Sequence, residues 1–218
     1  MALSAPMMLE RIVHWTMNGQ SQAPFLCTPD AMEDMISGYL LSAGIIRGLQ
    51  DIESLQIADE HIAVRLKQRP LPHLPIDQRL ERLLPLESPL KLPLSALRAC
   101  ADRLTSEESF FGTHRIMLTG AQGELAREDI GRHNAADKVI GAAFRAGWDL
   151  AECALGATGR ISLEILCKAA AMGIPIIFSK KYPSDLSCEW AQKLNIAIVG
   201  KIQSDSPEIC GAVWRVET

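Results

Sequence analysis

Glycine, arginine and other polar residues come together just ahead of a predicted helix in the segment 127–138. Its central run is Gly131, Arg132, His133 and Asn134. Glycine lets the backbone turn tightly, and the N–H groups that begin a helix have no partner inside it. Free N–H groups beside basic side chains suit a phosphate. The segment therefore predicts an anion site. The alternative is an ordinary capped helix, in which Asp129 caps the turn and Arg132 pairs with a carboxylate.

A second segment, 158–164, repeats this arrangement. Gly159 and Arg160 precede a predicted helix, and Ser162 stands at its start. Taken alone, Ser162 would simply cap the helix and Arg160 would be an exposed charge. Both segments follow predicted strands, and open α/β sheets bind their ligands in a crevice at such strand ends. The two segments together therefore favour a shared site for a nucleotide or pyrophosphate.

Other kinds of chemistry have less support in the sequence. His114 precedes a predicted strand, where an imidazole could donate to a phosphate or transfer protons, although a lone histidine is commonly structural. The sequence has no Ser/His/Asp order of a hydrolase, no Walker-type glycine loop and no His-Glu-x-x-His helix. The six cysteines are widely spaced, without Cys-x-x-Cys, so neither a zinc cluster nor a redox dithiol is predicted. We interpret them as free thiols in a reducing compartment, with disulfides as the open alternative.

The elements that must position these residues alternate between strands and helices from about Ser95 onward. A hairpin is predicted over 114–119 and 124–129, followed by strands at 153–157, 174–178, 196–199 and 212–216. Helices are predicted at 134–146, at 162–172 and from Ser184 or Asp185 to Leu194. Strands separated by helices of this length imply crossover connections. This part is therefore predicted to be an α/β domain whose mostly parallel sheet is flanked by helices.

The first part of the chain is predicted to be a small mixed α+β unit. Asn18-Gly19 favours a hairpin turn, residues 30–43 a helix, and residues 52–66 a second hairpin around Asp59-Glu60. Half of the 12 prolines then fall between 70 and 93, which indicates a linker rather than a packed element. The predicted division is 1–69 for the small domain, 70–93 for the linker and 94–218 for the α/β domain.

Composition limits the classes of partner. The chain of 218 residues is 48% hydrophobic, enough for a buried core, and its net charge of -4 makes nucleic acid an improbable main partner. An uninterrupted apolar run of about 18 residues and a secretory signal are both missing from the sequence. We therefore expect a cytoplasmic protein without a membrane partner.

At these residues the sequence resembles a known family, the formate dehydrogenase accessory sulfurtransferases called FdhD or NarQ. The matching segments are Gly112-Thr113-His114, the run from Glu128 to Gly141, and the run from Gly159 to Glu164. The resemblance implies a cytidine deaminase-like, three-layer α/β domain with a small N-terminal domain, usually as a homodimer. It also implies a function: sulfur is received from a cysteine desulfurase and passed to the bis-molybdopterin guanine dinucleotide cofactor of formate dehydrogenase, or of a related molybdenum or tungsten enzyme.

The resemblance and the two loops together assign a site. The cofactor-binding residues are Thr113, Asp129, Gly131, Arg132, His133, Asn134, Asp137, Lys138, Gly159, Arg160, Ser162, Glu164 and Lys201. The arginines would hold phosphate oxygens, Asp129 and Asp137 would orient the basic residues, and His114 would border the reacting sulfur. The molybdopterin guanine dinucleotide is a client, and no tightly bound metal is expected.

One departure from the family concerns sulfur. The family has a Cys-Gly-x-Cys type motif on a mobile loop ahead of the second domain, whereas residues 69–93 contain no cysteine. Leu94, Leu97, Ala101 and Leu104 predict an amphipathic helix after the linker. Cys100, the nearest thiol downstream, lies on this helix and is the candidate for a relocated sulfur carrier, although this position favours a packed, inert thiol. The alternative is a non-catalytic paralogue that senses or escorts the cofactor without transferring sulfur.

Overall fold

A five-stranded sheet packed against one helix forms the first part of the chain in the computed structural model, which describes residues 8–105 and 112–218. Its elements are β1 (Arg11–Met17), β2 (Gln20–Ser21), β3 (Phe25–Cys27), α1 (Met32–Ser42), β4 (Ile52–Ala58) and β5 (His61–Leu66). Asn18 and Gly19 both have positive φ, 51° and 79°, as a tight turn between twisted strands requires. Both predicted hairpins and the predicted helix are confirmed. Residues 1–7, which the predicted small domain includes, lie outside the described residues.

The proline-rich segment 70–93 is more ordered than predicted. It contains a short helix, α2 (Ile76–Glu81), and ends in β6 (Leu92–Pro93). Leu80 is only 1% exposed, and the Arg79 guanidinium donates to the Ser42 carbonyl at 2.7 Å. The interpretation as an unpacked linker is therefore wrong for this stretch, because prolines limit long regular elements but leave neighbouring side chains free to pack. The domain boundaries at 69 and 94 stay a prediction.

A six-stranded sheet forms the centre of the second part. Its elements and their helices are α3 (Leu94–Arg103), β7 (His114–Gly120), β8 (Gly123–Asp129), α4 (Arg132–Arg145), β9 (Ala154–Ala157), α5 (Leu163–Ala171), β10 (Ile176–Ser179), α6 (Asp185–Lys193), β11 (Ala197–Gly200) and β12 (Glu208–Gly211). The strand order is β12-β11-β10-β9-β7-β8. Side chains alternate between the faces, so that Leu118 packs towards α4, α5 and α6 while Met117 packs towards α3. The part described is thus a mixed α/β fold in three layers.

The direction of the strands corrects one prediction. β9, β10 and β11 are parallel, but β7 joins β9 antiparallel, β8 joins β7 antiparallel, and β12 joins β11 antiparallel. The sheet is therefore mixed rather than mostly parallel, because hairpin-type connections add strands at both sides of the parallel centre. The cytidine deaminase-like arrangement stays a prediction.

The end of the chain also differs from the prediction. Residues 208–211 form β12, a 3-10 turn follows at Val213–Arg215, and β13 (Val216–Glu217) pairs with β6. Arg215 is buried and donates to the carbonyl groups of Asn195, Ser88 and Leu90 at 2.9, 2.6 and 3.1 Å. A single strand over 212–216 is thus wrong, since Gly211 adopts φ 77° and the chain turns there to bury this guanidinium.

Two glycines let α1 and α4 cross at very short range. A Cβ atom on Gly38 would lie 1.9 Å from the Asp137 carbonyl oxygen, and one on Gly141 would lie 1.9 Å from the Asp34 carbonyl oxygen. Real Cβ atoms do not approach so closely, so any larger residue would push the helices apart. This crossing joins the small sheet to the larger one.

The cysteines depart from the expectation of free thiols. Cys188 and Cys210 form a disulfide that links α6 to β12, with Cα atoms 5.6 Å apart. The other four, Cys27, Cys100, Cys153 and Cys167, are free and buried. Sequence spacing did not reveal the pair because its members are 22 residues apart and meet only when α6 packs on the sheet. Within the described residues, none of the helices is long and apolar enough to cross a bilayer.

Candidate functional site at one edge of the six-stranded sheet

The two glycine–arginine segments meet at one edge of the large sheet. β8 ends at Asp129 just before α4, and β9 ends at Ala157 just before Gly159. Because β7 runs antiparallel to β9, its first residue, His114, lies at the same edge. A Cβ atom on Gly159 would lie 2.9 Å from His114 Nδ1 and 4.0 Å from Arg132 Cδ. Glycine is thus needed at 159 for the His114 imidazole to sit beside the backbone, and the Arg132 side chain lies within ordinary contact distance.

Asp129 shapes the turn that begins α4. Its carboxylate is fully buried and accepts hydrogen bonds from Gly131 N at 2.8 Å, Asn134 Nδ2 at 3.1 Å and Thr28 N at 3.1 Å. Lys138 Nζ lies 2.7 Å from the same carboxylate. Asp129 therefore fixes the start of α4, in agreement with the alternative in which this residue caps the turn.

Lys138 and Asn134 point into the protein rather than towards a ligand. The Lys138 side chain is 0% exposed, and Nζ also donates to the Thr28 carbonyl at 2.9 Å and pairs with Asp30. Asn134 donates to the Leu26 carbonyl at 2.7 Å as well as to Asp129. Both residues tie α4 to the first part of the chain. The predicted cofactor contact of Lys138 is corrected, since its buried ammonium is already surrounded by acceptors, and that of Asn134 stays a prediction.

Asp137 has a structural partner of its own. Its carboxylate lies 2.8 and 2.9 Å from Lys168 Nζ and accepts a hydrogen bond from Ser42 Oγ at 2.8 Å. All three side chains are buried, and burial raises the pKa of the Asp137 carboxyl while Lys168 opposes that shift. Asp137 thus joins α1, α4 and α5 and does not orient the arginines.

His133 connects the two loops. Its Nε2 lies 3.4 Å from Ser162 Oγ and 3.5 Å from a Glu164 carboxylate oxygen, and Arg132 Nε approaches it at 3.4 Å. Burial lowers the pKa of His133, Glu164 opposes this, and Arg132 lowers it further. Burial, followed by Arg132, also lowers the pKa of His114. Both imidazoles therefore favour the neutral form. Whether His133 Nε2 donates to Ser162 Oγ or accepts from it depends on the tautomer.

Basic residues from the three parallel strands complete the edge. Arg160 is exposed after β9, and Lys201 follows β11 with Nζ 4.9 Å from the centre of the Tyr182 ring. The sequence analysis missed Lys180 and Lys181, which directly follow β10. Their position just after a buried apolar strand could have identified them as residues at this edge. Lys180 N donates to the Ala157 carbonyl, and Lys201 N donates to the Lys181 carbonyl at 3.1 Å.

We call this group the basic edge. It consists of His114, Arg132, His133, Arg160, Lys181 and Lys201, together with the N-termini of α4 and α5. Thr113 lies beside it and donates to a Glu128 carboxylate oxygen at 3.1 Å. Free helix N–H groups and clustered cations stabilise a bound phosphate. Within the parts of the chain that the structure describes, no group of three or more His, Cys, Asp or Glu side chains is placed to hold a metal ion.

Comparison with known proteins places this site in a family. The profile of the FdhD/NarQ family matches residues 8–217. The chain belongs to the FdhD/NarQ family. A sulfur carrier protein FdhD from Listeria monocytogenes is 32% identical over 227 residues, which cover 91% of this chain and 87% of that protein. One from Bacillus subtilis is 29% identical over 216 residues, covering 87% and 82% of the two chains.

A solved structure agrees with the family assignment. The crystal structure of a proposed formate dehydrogenase accessory protein from Desulfotalea psychrophila is similar to this FdhD/NarQ chain with a TM-score of 0.83 at 25% identity. The match covers 95% of this chain and 90% of that one. The resemblance predicted from the glycine–arginine segments is thus confirmed at the level of the family.

Cys100 does not belong to the basic edge of this FdhD/NarQ protein. Its sulfur lies 3.6 Å from Thr119 Oγ1, and Thr119 pairs with Ala154, the first residue of β9. The basic edge lies at the other end of that strand. Cys100 is 8% exposed, and burial raises the pKa of its thiol. The candidate role of Cys100 as the reacting thiol is therefore corrected, because α3 places it at the other end of the sheet. His114 lies at the basic edge, and its role beside a reacting sulfur stays a prediction.

Proposed function

We propose that the protein is a formate dehydrogenase accessory protein that binds bis-molybdopterin guanine dinucleotide at the basic edge. It would assist sulfuration of this client cofactor or its insertion into formate dehydrogenase or a related molybdenum or tungsten enzyme. The observation that supports this most directly is the meeting of two helix N-termini with Arg132 and Arg160 at one end of the sheet. Relatives named for sulfur carriage and formate dehydrogenase accessory function support the same proposal.

The basic edge suits a dinucleotide because its cations are spread along several loops. Arg132 at the start of α4 comes close to Gly159, and Arg160 follows Gly159 directly, two residues before Ser162 and the start of α5. Lys181 and Lys201 extend the positive charge beyond β10 and β11. A pyrophosphate would bind the arginines and helix N–H groups, and the remaining lysines would attract further phosphate or polar groups of the ligand.

A second candidate function is escort or sensing of the cofactor without sulfur transfer. One observation favours it: of the six cysteines, all within the described residues, four are buried and two are joined in a disulfide. A carrier thiol has to meet its donor, so a buried thiol is poorly suited to this role. A cysteine desulfurase as sulfur donor and a homodimeric assembly stay predictions.

Guanosine diphosphate corresponds to the nucleotide part of the proposed client cofactor, and its binding tests the proposal. We expect Arg132→Ala and Arg160→Ala each to weaken binding about 10- to 100-fold, because each removes a charge-assisted hydrogen bond worth about 1.5–3 kcal/mol. Isothermal titration calorimetry measures the change. Arg65→Ala is the matched control, since Arg65 lies on β5 with its side chain 72% exposed and 3.9 Å from Glu53. Wild-type affinity in both site variants would refute binding at the basic edge.

A further inference from the structure

Cys188 and Cys210 differ from the other cysteines in their surroundings. Both are only partly buried, whereas the four free cysteines are buried. Burial raises the pKa of Cys27 and of Cys153 to about 11, and it also raises the pKa of Cys100 and Cys167. Since the thiolate is the nucleophile, these four are poor acceptors of sulfur. A sulfur acceptor in this chain is therefore to be sought in the remaining pair.

The start of α6, which carries Cys188, is hydrogen-bonded to the loop that bears Arg160. Ser184 N and Ser187 Oγ both donate to the Ile161 carbonyl, at 2.9 and 3.1 Å. Ile161 stands between Arg160 and Ser162 of the proposed site, and Cys188 follows Ser187 in the first turn of α6. The positive end of a helix stabilises a thiolate, an effect that Asp185 in the same turn reduces.

Cys210 lies on the outermost strand of the large sheet. β12 has a neighbour on one side only, where Cys210 pairs with Ile198 of β11. α6 covers this strand, and the Cα atoms of Cys188 and Cys210 lie 5.6 Å apart, within the range in which a disulfide forms without backbone movement. Both residues are therefore partly exposed, and their sulfur atoms lie next to each other.

We propose that Cys188 and Cys210 are the sulfur-carrying pair of this protein, with Cys188 as the acceptor and Cys210 as the resolving thiol. The inference rests on the proposed function, since it supplies the thiol that a sulfur carrier requires. It differs from the alternative in which the protein escorts the cofactor without transferring sulfur. It also assigns the sulfur chemistry to residues far along the chain from the segment 69–93, where the family has its cysteine motif.

The chemistry has two steps. The Cys188 thiolate attacks the terminal sulfur of a persulfide donor R–S–SH, so that Cys188–S–SH forms and the thiolate R–S⁻ leaves. The Cys210 thiolate then attacks the Cys188 sulfur, the bond to the outer sulfur breaks, and hydrosulfide leaves. The outer sulfur is reduced from the sulfane to the sulfide level, and the two thiolates are oxidised to the Cys188–Cys210 disulfide. A dithiol reductant reopens this bond for another cycle.

Intact-protein mass spectrometry of the reduced protein with a low-molecular-weight alkyl persulfide tests the pair. We expect Cys210→Ser to retain a reducible gain of about 32 Da, because the resolving thiol is missing, and Cys188→Ser to show none. The wild type should instead release sulfide and become about 2 Da lighter than its reduced form. Cys100→Ser is the matched control and should behave as the wild type does.

Several results would overturn the assignment. Equal gains in Cys188→Ser and Cys210→Ser would do so. So would a Cys100→Ser variant that fails to release sulfide and to lose about 2 Da as the wild type does. No gain in Cys210→Ser, when the same donor modifies a cysteine peptide, would also overturn it. If Cys188→Ser fails to fold by circular dichroism, the label is mapped in Cys210→Ser by proteolysis, and a label outside the Cys188 peptide refutes the proposal. Guanosine diphosphate binding measured on the same samples separates the two ideas: intact binding without sulfur loading refutes only the sulfur pair.

Discussion

His114 and His133 are the two histidines of the basic edge, and their charge can respond to a bound anion. In the protein without ligand, burial and the neighbouring Arg132 lower the pKa of both imidazoles. Asp129 opposes this shift at His114, and Glu164 opposes it at His133. A bound phosphate adds negative charge at the same place and favours the imidazolium. Ligand binding and proton uptake are therefore coupled at these two side chains.

We predict that affinity for guanosine diphosphate increases as the pH is lowered towards and below about 6.5, the ordinary pKa of histidine. The sign follows because each histidine pKa is low in the free protein and higher in the complex, so binding takes up protons between the two values and is independent of pH above both. Calorimetry in two buffers of different ionisation enthalpy measures the uptake. His133→Gln should reduce it, and an enthalpy independent of the buffer would contradict the coupling.

The charged residues of the segment 127–138 show how far a residue-scale prediction can go. Its composition correctly indicated a turn before a helix, and the structure brings His133 to Ser162 of the second loop. It did not reveal that Lys138 is directed towards Thr28 and Asp30, because these acceptors come from a strand end about a hundred residues earlier. Only the packing of α4 on the first part of the chain decides which cations face solvent.

At the scale of elements, the crossing of α1 and α4 depends on two glycines in helix interiors. In an exposed helix, replacing glycine by alanine stabilises a protein by about 1 kcal/mol. At Gly38 and Gly141 the added methyl group would meet a carbonyl oxygen of the facing helix at 1.9 Å. Steric overlap should outweigh the gain in helix propensity at this crossing.

We predict that Gly141→Ala lowers the free energy of unfolding by about 1–3 kcal/mol, and Gly38→Ala by a similar amount. Both helices must move apart to accept the methyl group, which weakens the contacts around Asp137 and Ser42. Urea denaturation followed by circular dichroism measures the loss. A variant as stable as the wild type, or more so, would show that the helices can separate without cost.

Elements held together by local sequence were the ones that could be predicted. The Asn18-Gly19 turn, the hairpin of β7 and β8 and the helices α4, α5 and α6 all follow from residues within their own span. The elements that were missed depend on distant partners. β13 pairs with β6, α2 is stabilised by contacts such as that of Arg79 with Ser42, and the disulfide requires α6 on β12.

At the scale of the whole molecule, polar bonds join the small sheet to the large one. Asp129 accepts from Thr28 N, Asp137 accepts from Ser42, and Arg127 forms an ion pair with Asp34 at 2.8 Å. Buried polar groups that lose such partners are strongly destabilising. The sequence predicts two domains, but separating the two sheets would expose unpaired charges.

We therefore predict a single unfolding transition for both sheets. Trp15 is buried in the first sheet, and the other three tryptophans, Trp148, Trp190 and Trp214, lie in the second part of the chain. Urea curves from circular dichroism, from wild-type fluorescence and from a Trp15→Phe variant should share one midpoint. Separate midpoints for the Trp15 signal and the remaining tryptophans would show that the two sheets unfold independently.

The close crossing of α1 and α4 has a consequence for the newborn chain. Ser42 and Asp137, which are bonded in the folded protein, are 95 residues apart. At a synthesis rate of about 5–20 residues per second, α1 leaves the ribosome roughly 5–20 s before α4 can cover it. During this interval the glycine-lined face of α1 lacks its partner α4, whereas the apolar residues on its other side can already pack on the first sheet. We expect this to be the period in which a nascent-chain chaperone would have its longest access to the protein.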